Sequence, residues 1–185
     1  MNQRRSAVVL SWWENKRFRY SLFGGVLFIA ALLILPGRRP HGEQLAADTC
    51  SFARMYVGRP YYWGGENDTG IDCFGLPRKF LILACLKRGV IMLNPSLIRE
   101  GIDLWWNDQS ARSMGHITGD KTTFIGEDKN LNMVDYTLRK PGDLAVTQDG
   151  IHMLMYLGNQ EWIQADPGAG KVIISHVPSE NAWFS

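Results

Sequence analysis

The 185-residue chain is 45% hydrophobic and 21% charged, with 19 Gly and 8 Pro, a composition that suits one globular domain and excludes a disordered, collagenous or low-complexity chain. Its net charge of +2 is unevenly shared: residues 1–39 hold seven Lys/Arg and one acid, the remainder thirteen and seventeen. The folded part is therefore mildly acidic, which argues against nucleic acid as a partner, since phosphate binding needs clustered excess Lys and Arg on the folded domain.

Residues 1–19 form a basic terminus with Arg4, Arg5, Lys16, Arg17 and Arg19. The strongly apolar run Tyr20 to Leu35 follows, closed by Pro36. As a helix that run spans roughly 24 Å, close enough to a ~30 Å hydrocarbon core to cross with its flanks. Trp12, Trp13, Phe18 and Tyr20 sit where an interfacial aromatic belt would lie, and the basic excess ahead of the run orients the N-terminus toward the cytoplasm. The expectation is a transmembrane anchor over 20–36. A cleaved secretory signal is the alternative, although Pro36-Gly37-Arg38-Arg39-Pro40 is a poor processing site. Residues 37–44 read as a linker, and residues 45–185 as a domain outside the cytoplasmic membrane, on the periplasmic or cell-wall side.

Leu45 to Val57 has apolar residues at helical spacing and ends at Gly58, so a helix is predicted there. An aromatic loop, Arg59 to Gly65, and a polar turn, Glu66 to Gly70, lead to a second predicted helix over Phe74 to Arg88. A short helix around Ile98 to Asn107 comes next, then a polar stretch, Gln109 to Asn132, with little periodicity. Trp105 and Trp106 read as core, or else as part of a lid. From Lys140 onward four strands are predicted, Asp143–Thr147, Ile151–Leu157, Glu161–Ala165 and Lys171–Val177, separated by Gly- and Asn-containing turns. Helices followed by an antiparallel meander make an α+β order.

Cys73 follows the glycine-rich loop and opens a helix, where the macrodipole and free N–H groups favour a thiolate and can later hold an oxyanion. Pro77 fits a first helical turn. Cys50 and Cys85 have apolar helical surroundings and read as small buried hydrophobes, with a disulfide between them as the other possibility. A cysteine nucleophile needs a base. Among the histidines, His41 falls in the linker, His116 in the unpatterned stretch and His176 at the end of the last strand. His152 alone interrupts an apolar strand, sharing a face with Leu154 and Tyr156. The base in turn needs an acceptor on its far nitrogen. Gln164 on the next strand is the first choice and Asp166 the reserve.

Pro60-Tyr61-Tyr62-Trp63-Gly64-Gly65 followed by Asp72-Cys73-Phe74-Gly75-Leu76 resembles the P-Y-x-W-G-G…D-C-S-G-L signature of the NlpC/P60 cysteine peptidases. Pro141-Gly142-Asp143-Leu144 and His152-Met153-Leu154-Met155-Tyr156-Leu157-Gly158-Asn159 resemble the same family's P-G-D-L and H-V-G-I-Y-L-G-N, in the same order. The resemblance implies a papain-like α+β fold, with N-terminal helices packed on an antiparallel sheet. It also implies hydrolysis of amide bonds in peptidoglycan stem peptides, commonly between D-glutamate and a diamino acid. On it, Cys73 is the nucleophile and His152 the base, with Gln164 where a second histidine is usual. Tyr61 can donate to the oxyanion, and Asp72 is a carboxylate able to hold a substrate amine. Three positions depart from the pattern. Phe74 replaces a serine, Leu154 replaces a glycine on the His152 face where the catalytic helix is expected to pack, and the connection over Leu93–Leu138 is longer than usual. No metal or cofactor is expected.

Three functions follow as expectations. The first is a membrane-tethered thiol peptidase or amidase acting on peptidoglycan. The second is a non-catalytic envelope scaffold on a degenerate papain-like fold, motivated by Phe74 and Leu154. The third is a thiol acyltransferase or amidase acting on other amides.

Overall fold

A computed structural model of the chain describes residues 16–36, 42–106 and 123–185. The basic residues before Lys16, part of the linker with His41, and His116 within the polar stretch lie outside the described residues. The expected membrane segment forms helix α1, Lys16–Ile34. Its first turn carries Lys16, Arg17 and Arg19, which leaves an apolar stretch of roughly 22 Å at 1.5 Å per residue. Among the described residues, no helix is long and apolar enough to cross a membrane, so the expected transmembrane helix finds no support there. Tyr20, Leu22, Phe23, Val26, Leu27 and Ile29 on α1 are exposed. Near its end, the Leu35 carbonyl accepts from Arg99 Nη1 at 3.0 Å.

Helix α2, Gly42–Arg54, begins inside the expected linker and has Glu43 in its first turn and Arg54 in its last, both favourable to the helix dipole. A two-stranded hairpin follows, β1 Glu66–Asn67 and β2 Gly70–Ile71. Helix α3, Gly75–Ile91, has Pro77 in its first turn, where a missing N–H costs nothing. Helix α4, Pro95–Trp106, turns Leu97, Gly101 and Leu104 inward. Trp105 and Trp106 are 65% and 76% exposed. They do not belong to the core, because the buried stripe of α4 runs along its other side.

Two buried charges join these helices. Asp48 of α2 accepts from Lys87 Nζ at 3.0 Å and from Arg88 Nε, both on α3. Arg78 of α3 donates to the Leu104 carbonyl at 2.8 and 3.2 Å, to the Trp105 carbonyl at 3.2 Å, and to Glu66 of β1. Arg78 thus satisfies carbonyls at the end of α4, which have no partner within that helix, while also tying down the hairpin that precedes Cys73.

The strands Leu144–Val146, Met153–Gly158, Glu161–Asp166 and Lys171–His176 form an antiparallel sheet, β3-β4-β5-β6 in sequence order. Alternation gives the sheet two faces. Met155, Leu157, Ile163, Ala165 and Val172 face the helices and pack with Cys50, Ala53, Leu76 and Phe80. Phe80 is fully buried there, and truncating such a side chain costs about 3–5 kcal/mol. The opposite face carries Leu154, Tyr156 and Trp162, covered by Val177, Phe184, Leu131 and Tyr136 from the segments outside the sheet. The placement of Leu154 corrects an expectation. Its side chain packs with this second cluster, whereas Leu76 and Phe80 of α3 pack on the other face, so a leucine at 154 does not obstruct the approach of α3.

Candidate active site

The loop that carries Cys73 is held mainly by its own backbone. Gly58, Arg59 and Tyr61 pair with the β6 edge through Gly58 N to Val172 O, Val172 N to Arg59 O and Tyr61 N to Gly170 O, at 2.8–2.9 Å. Gly64 adopts φ +72°, a left-handed conformation that glycine accepts without a Cβ penalty. The Asp72 carboxylate gathers three amides: Oδ2 accepts from Gly64 N at 2.8 Å, and Oδ1 from Phe74 N at 3.0 Å and Gly75 N at 2.6 Å. It therefore closes the loop and caps α3 at once. Phe74 occupies the cap position without a capping side chain, and Asp72 supplies the missing acceptor. A side chain at position 75 would run into the Gly65 carbonyl, so the loop can fold onto the helix start only with glycine there.

Cys73 emerges from this turn 2% exposed, its Sγ 3.7 Å from the Ile151 carbonyl. Burial pushes its thiol up to about 11. Hydrogen bonds from the Met153, Cys73 and Phe74 amides work the other way, while the Asp72 charge adds to the rise. The lowered thiol pKa expected of a cysteine opening a helix is thereby corrected: loss of water outweighs the amide donors. Tyr61 is half-buried beside this turn, and its phenol is pushed up by burial and then by the charges of Cys73 and Asp72.

His152 stands just ahead of β4 and is 1% exposed. Its backbone is fixed by Thr147, whose Oγ1 accepts from His152 N at 2.9 Å and whose N donates to His152 O at 3.0 Å. The ring Nε2 lies 2.6 Å from Gln164 Oε1. An amide oxygen only accepts, so Nε2 carries the hydrogen and Nδ1 keeps the lone pair that a base requires. Burial lowers the imidazole pKa, opposed by the Gln164 hydrogen bond and the charges of Asp166 and Asp149. Burial thus disfavours the charged form of both groups.

Asp166, the reserve partner for the base, engages other groups. Its oxygens accept from Gly168 N at 2.8 Å, Asn181 Nδ2 at 2.8 Å and Trp183 Nε1 at 3.4 Å. The indole of Trp183 in turn stacks on His152, with centroids 4.0 Å apart and planes 19° from parallel. No feature of the sequence singles out Trp183, since only the folded C-terminal segment brings it to the ring. Cys50 and Cys85 are buried free thiols, not joined in a disulfide. Among the described residues, no group of three or more His, Cys, Asp or Glu is placed to hold a metal ion.

Comparison with known proteins agrees with the motifs. The chain is 26% identical over 132 residues to dipeptidyl-peptidase 6 of Lysinibacillus sphaericus, a match that covers 71% of this chain and 36% of that protein. The chain therefore spans about a third of that relative's length. Among solved structures, the peptidoglycan hydrolase RipB of Mycobacterium tuberculosis is 23% identical, with 90% of this chain and 78% of that one covered and a TM-score of 0.48. The NlpC/p60 domain of the peptidoglycan hydrolase SagA is 21% identical, covering 71% and 88%, with a TM-score of 0.41. Residues 58–184 match the model of the NlpC/P60 family, a span that holds every motif of the resemblance, and the chain belongs to that cysteine-peptidase family.

Proposed function

We propose that the protein is a cysteine peptidase or amidase that hydrolyses amide bonds in peptidoglycan stem peptides, with the bond between D-glutamate and a diamino acid as the preferred target. The observation that carries this reading is the convergence of Cys73 on the peptide just before His152, with the imidazole oriented by Gln164 in a chain of the NlpC/P60 family. In the mechanism, His152 Nδ1 takes the Cys73 proton and the thiolate attacks the amide carbonyl. Amides at the start of α3 and the Tyr61 hydroxyl donate to the oxyanion, and the protonated imidazole delivers its proton to the leaving amine. Water then resolves the acyl-enzyme. Burial raises the thiol pKa and lowers the imidazole pKa, which disfavours a thiolate–imidazolium pair ahead of attack. A carboxylate offers about four acceptor positions; Asp72 uses three on backbone amides, which leaves about one for a substrate amine.

A second reading, a non-catalytic envelope scaffold, is favoured by the burial of Cys73 and its raised thiol pKa. Digestion of purified stem peptides by wild type and Cys73→Ala, with mass analysis of products, separates the two. Cleavage by wild type alone supports the peptidase, and intact peptide with both supports the scaffold.

We further propose that the domain works outside the bacterial cytoplasmic membrane, attached to it through α1 and its basic flank. Support comes from the exposed apolar side chains along α1 and the excess of Lys and Arg over residues 1–39. Deleting residues 1–36 is expected to release the protein from membranes in fractionation; unchanged pelleting would contradict the attachment.

A further inference from the structure

The base has only a neutral partner. Gln164 directs Nε2 at 2.6 Å, but an amide brings no charge to favour the imidazolium. Nor does one hydrogen bond fix the ring plane, because the last torsion of histidine is broad. Trp183 meets the ring on its face, and Trp183 is itself held. Its Nε1–H donates to Asp166 Oδ1 at 3.4 Å, Asn181 Nδ2 donates to Asp166 Oδ2 at 2.8 Å, and Asn181 Oδ1 accepts from Trp183 N at 3.1 Å. Next to it, Phe184 is fully buried and anchors the segment in the second core cluster. An open cavity of about 470 Å³ borders Trp183, Asn181 and Asp166. On that side the indole is held by hydrogen bonds more than by packing.

We propose that Trp183 is a positioning residue for the base: clamped by Asp166 and Asn181, its indole face fixes the His152 ring plane and stabilises the imidazolium formed when the ring takes the Cys73 proton. Trp is the aromatic side chain best suited to hold a cation over its face. An N–H directed at a carboxylate makes that face richer in electrons. Burial works to raise the Asp166 pKa, but hydrogen bonds from Asn181, Gly168 and Trp183 hold it below the usual carboxylate value. The negative charge that Gln164 lacks is thus supplied from the far edge of the indole. The titratable groups whose charge acts on the ring are Asp166 from β5 and Asp149 from the turn before β4, and Cys73 at the start of α3 brings its Sγ to 3.7 Å from the carbonyl of the residue before His152.

This inference rests on the peptidase reading insofar as it takes His152 to be the base, so its test needs a readout independent of cleavage. The His152 imidazole is titrated by NMR in wild type, Trp183→Leu, Trp183→Phe and Asp166→Asn, with kcat and KM on a stem peptide measured alongside. Trp183→Leu is expected to titrate roughly half to one pH value lower, with kcat down about tenfold or more and KM within about twofold. Trp183→Phe should recover most of both effects, and Asp166→Asn should fall between. Where Trp183→Leu fails to fold, Asp166→Asn carries the test, with Trp183→Phe as the control expected to stay near wild type. Titrations of Trp183→Leu and Asp166→Asn coincident with wild type overturn the proposal. A wild type that cuts no stem peptide while Trp183→Leu still shifts the titration sinks the peptidase reading and leaves the ring assignment standing. Cleavage with unmoved titrations does the reverse.

Discussion

The two halves of the proposed active site are built differently. Cys73 is positioned by neighbours in the chain: the Asp72 carboxylate holds the amides of Gly64, Phe74 and Gly75, and the close approach of Gly75 to the Gly65 carbonyl completes the turn. His152 is positioned by side chains from elsewhere, Gln164 on the next strand and Trp183 in the C-terminal segment. A site held by local backbone must keep its residue types at fixed spacing and so appears as a motif. A site held by distant side chains leaves only scattered single residues. The chain departs from its family's pattern accordingly. At position 74 the lost hydroxyl leaves the turn intact because Asp72 caps the helix. At position 164 an amide stands where the resemblance implies a histidine, and in the proposed mechanism the charge that favours the imidazolium comes from other groups.

Breaking the local half should cost the most. Asp72→Ala removes a cap and three charge-assisted hydrogen bonds in one step, an expected loss of about 2–3 kcal/mol. Thermal unfolding should show it as a drop of roughly 5–10 °C, with activity lost alongside because the Cys73 turn relaxes. A melting temperature within a degree of wild type would mean that the loop is held by something other than Asp72. The distributed half should respond more gently. Gln164→Ala is expected to lower kcat about tenfold, since one orienting bond is lost while Trp183 remains. Gln164→Glu sharpens the contrast. A carboxylate beside the ring favours the imidazolium, so the imidazole pKa rises. The base is then protonated over more of the acid range, and the acid limb of the kcat/KM profile should move to higher pH. An unmoved limb would separate Gln164 from the base.

The sequence exposed most of the frame. Apolar runs bounded by turn residues marked the four main strands, and Pro77 fell in the first turn of α3, whereas α3 runs past the expected end at Arg88 to Ile91. The polar turn at Glu66–Gly70 proved to contain the β1–β2 hairpin, whose two-residue strands are too short to show any alternation. Leu154 was expected to conflict with α3, because period-two alternation tells which residues share a face but not which layer covers it. The clamp on His152 was invisible for a related reason: Asp166, Asn181 and Trp183 have no periodic relation to one another and meet only when the C-terminal segment folds back. The thiol pKa went the other way from expectation because a helix start is legible in sequence, whereas the depth of burial at that start is a property of the whole fold.

The central claim is that Cys73 is a neutral buried thiol that His152 activates. Its most direct test is the pH dependence of alkylation by iodoacetamide in wild type and His152→Ala, with the label located by peptide mapping. The account predicts modification of Cys73 ahead of Cys50 and Cys85, at a rate that climbs through neutral and alkaline pH toward the elevated thiol pKa of about 11, and a slower reaction in His152→Ala. A rate already at its plateau below pH 7 would indicate a preformed thiolate, and labelling that is indifferent to His152 would remove the base from the mechanism; either result contradicts the account.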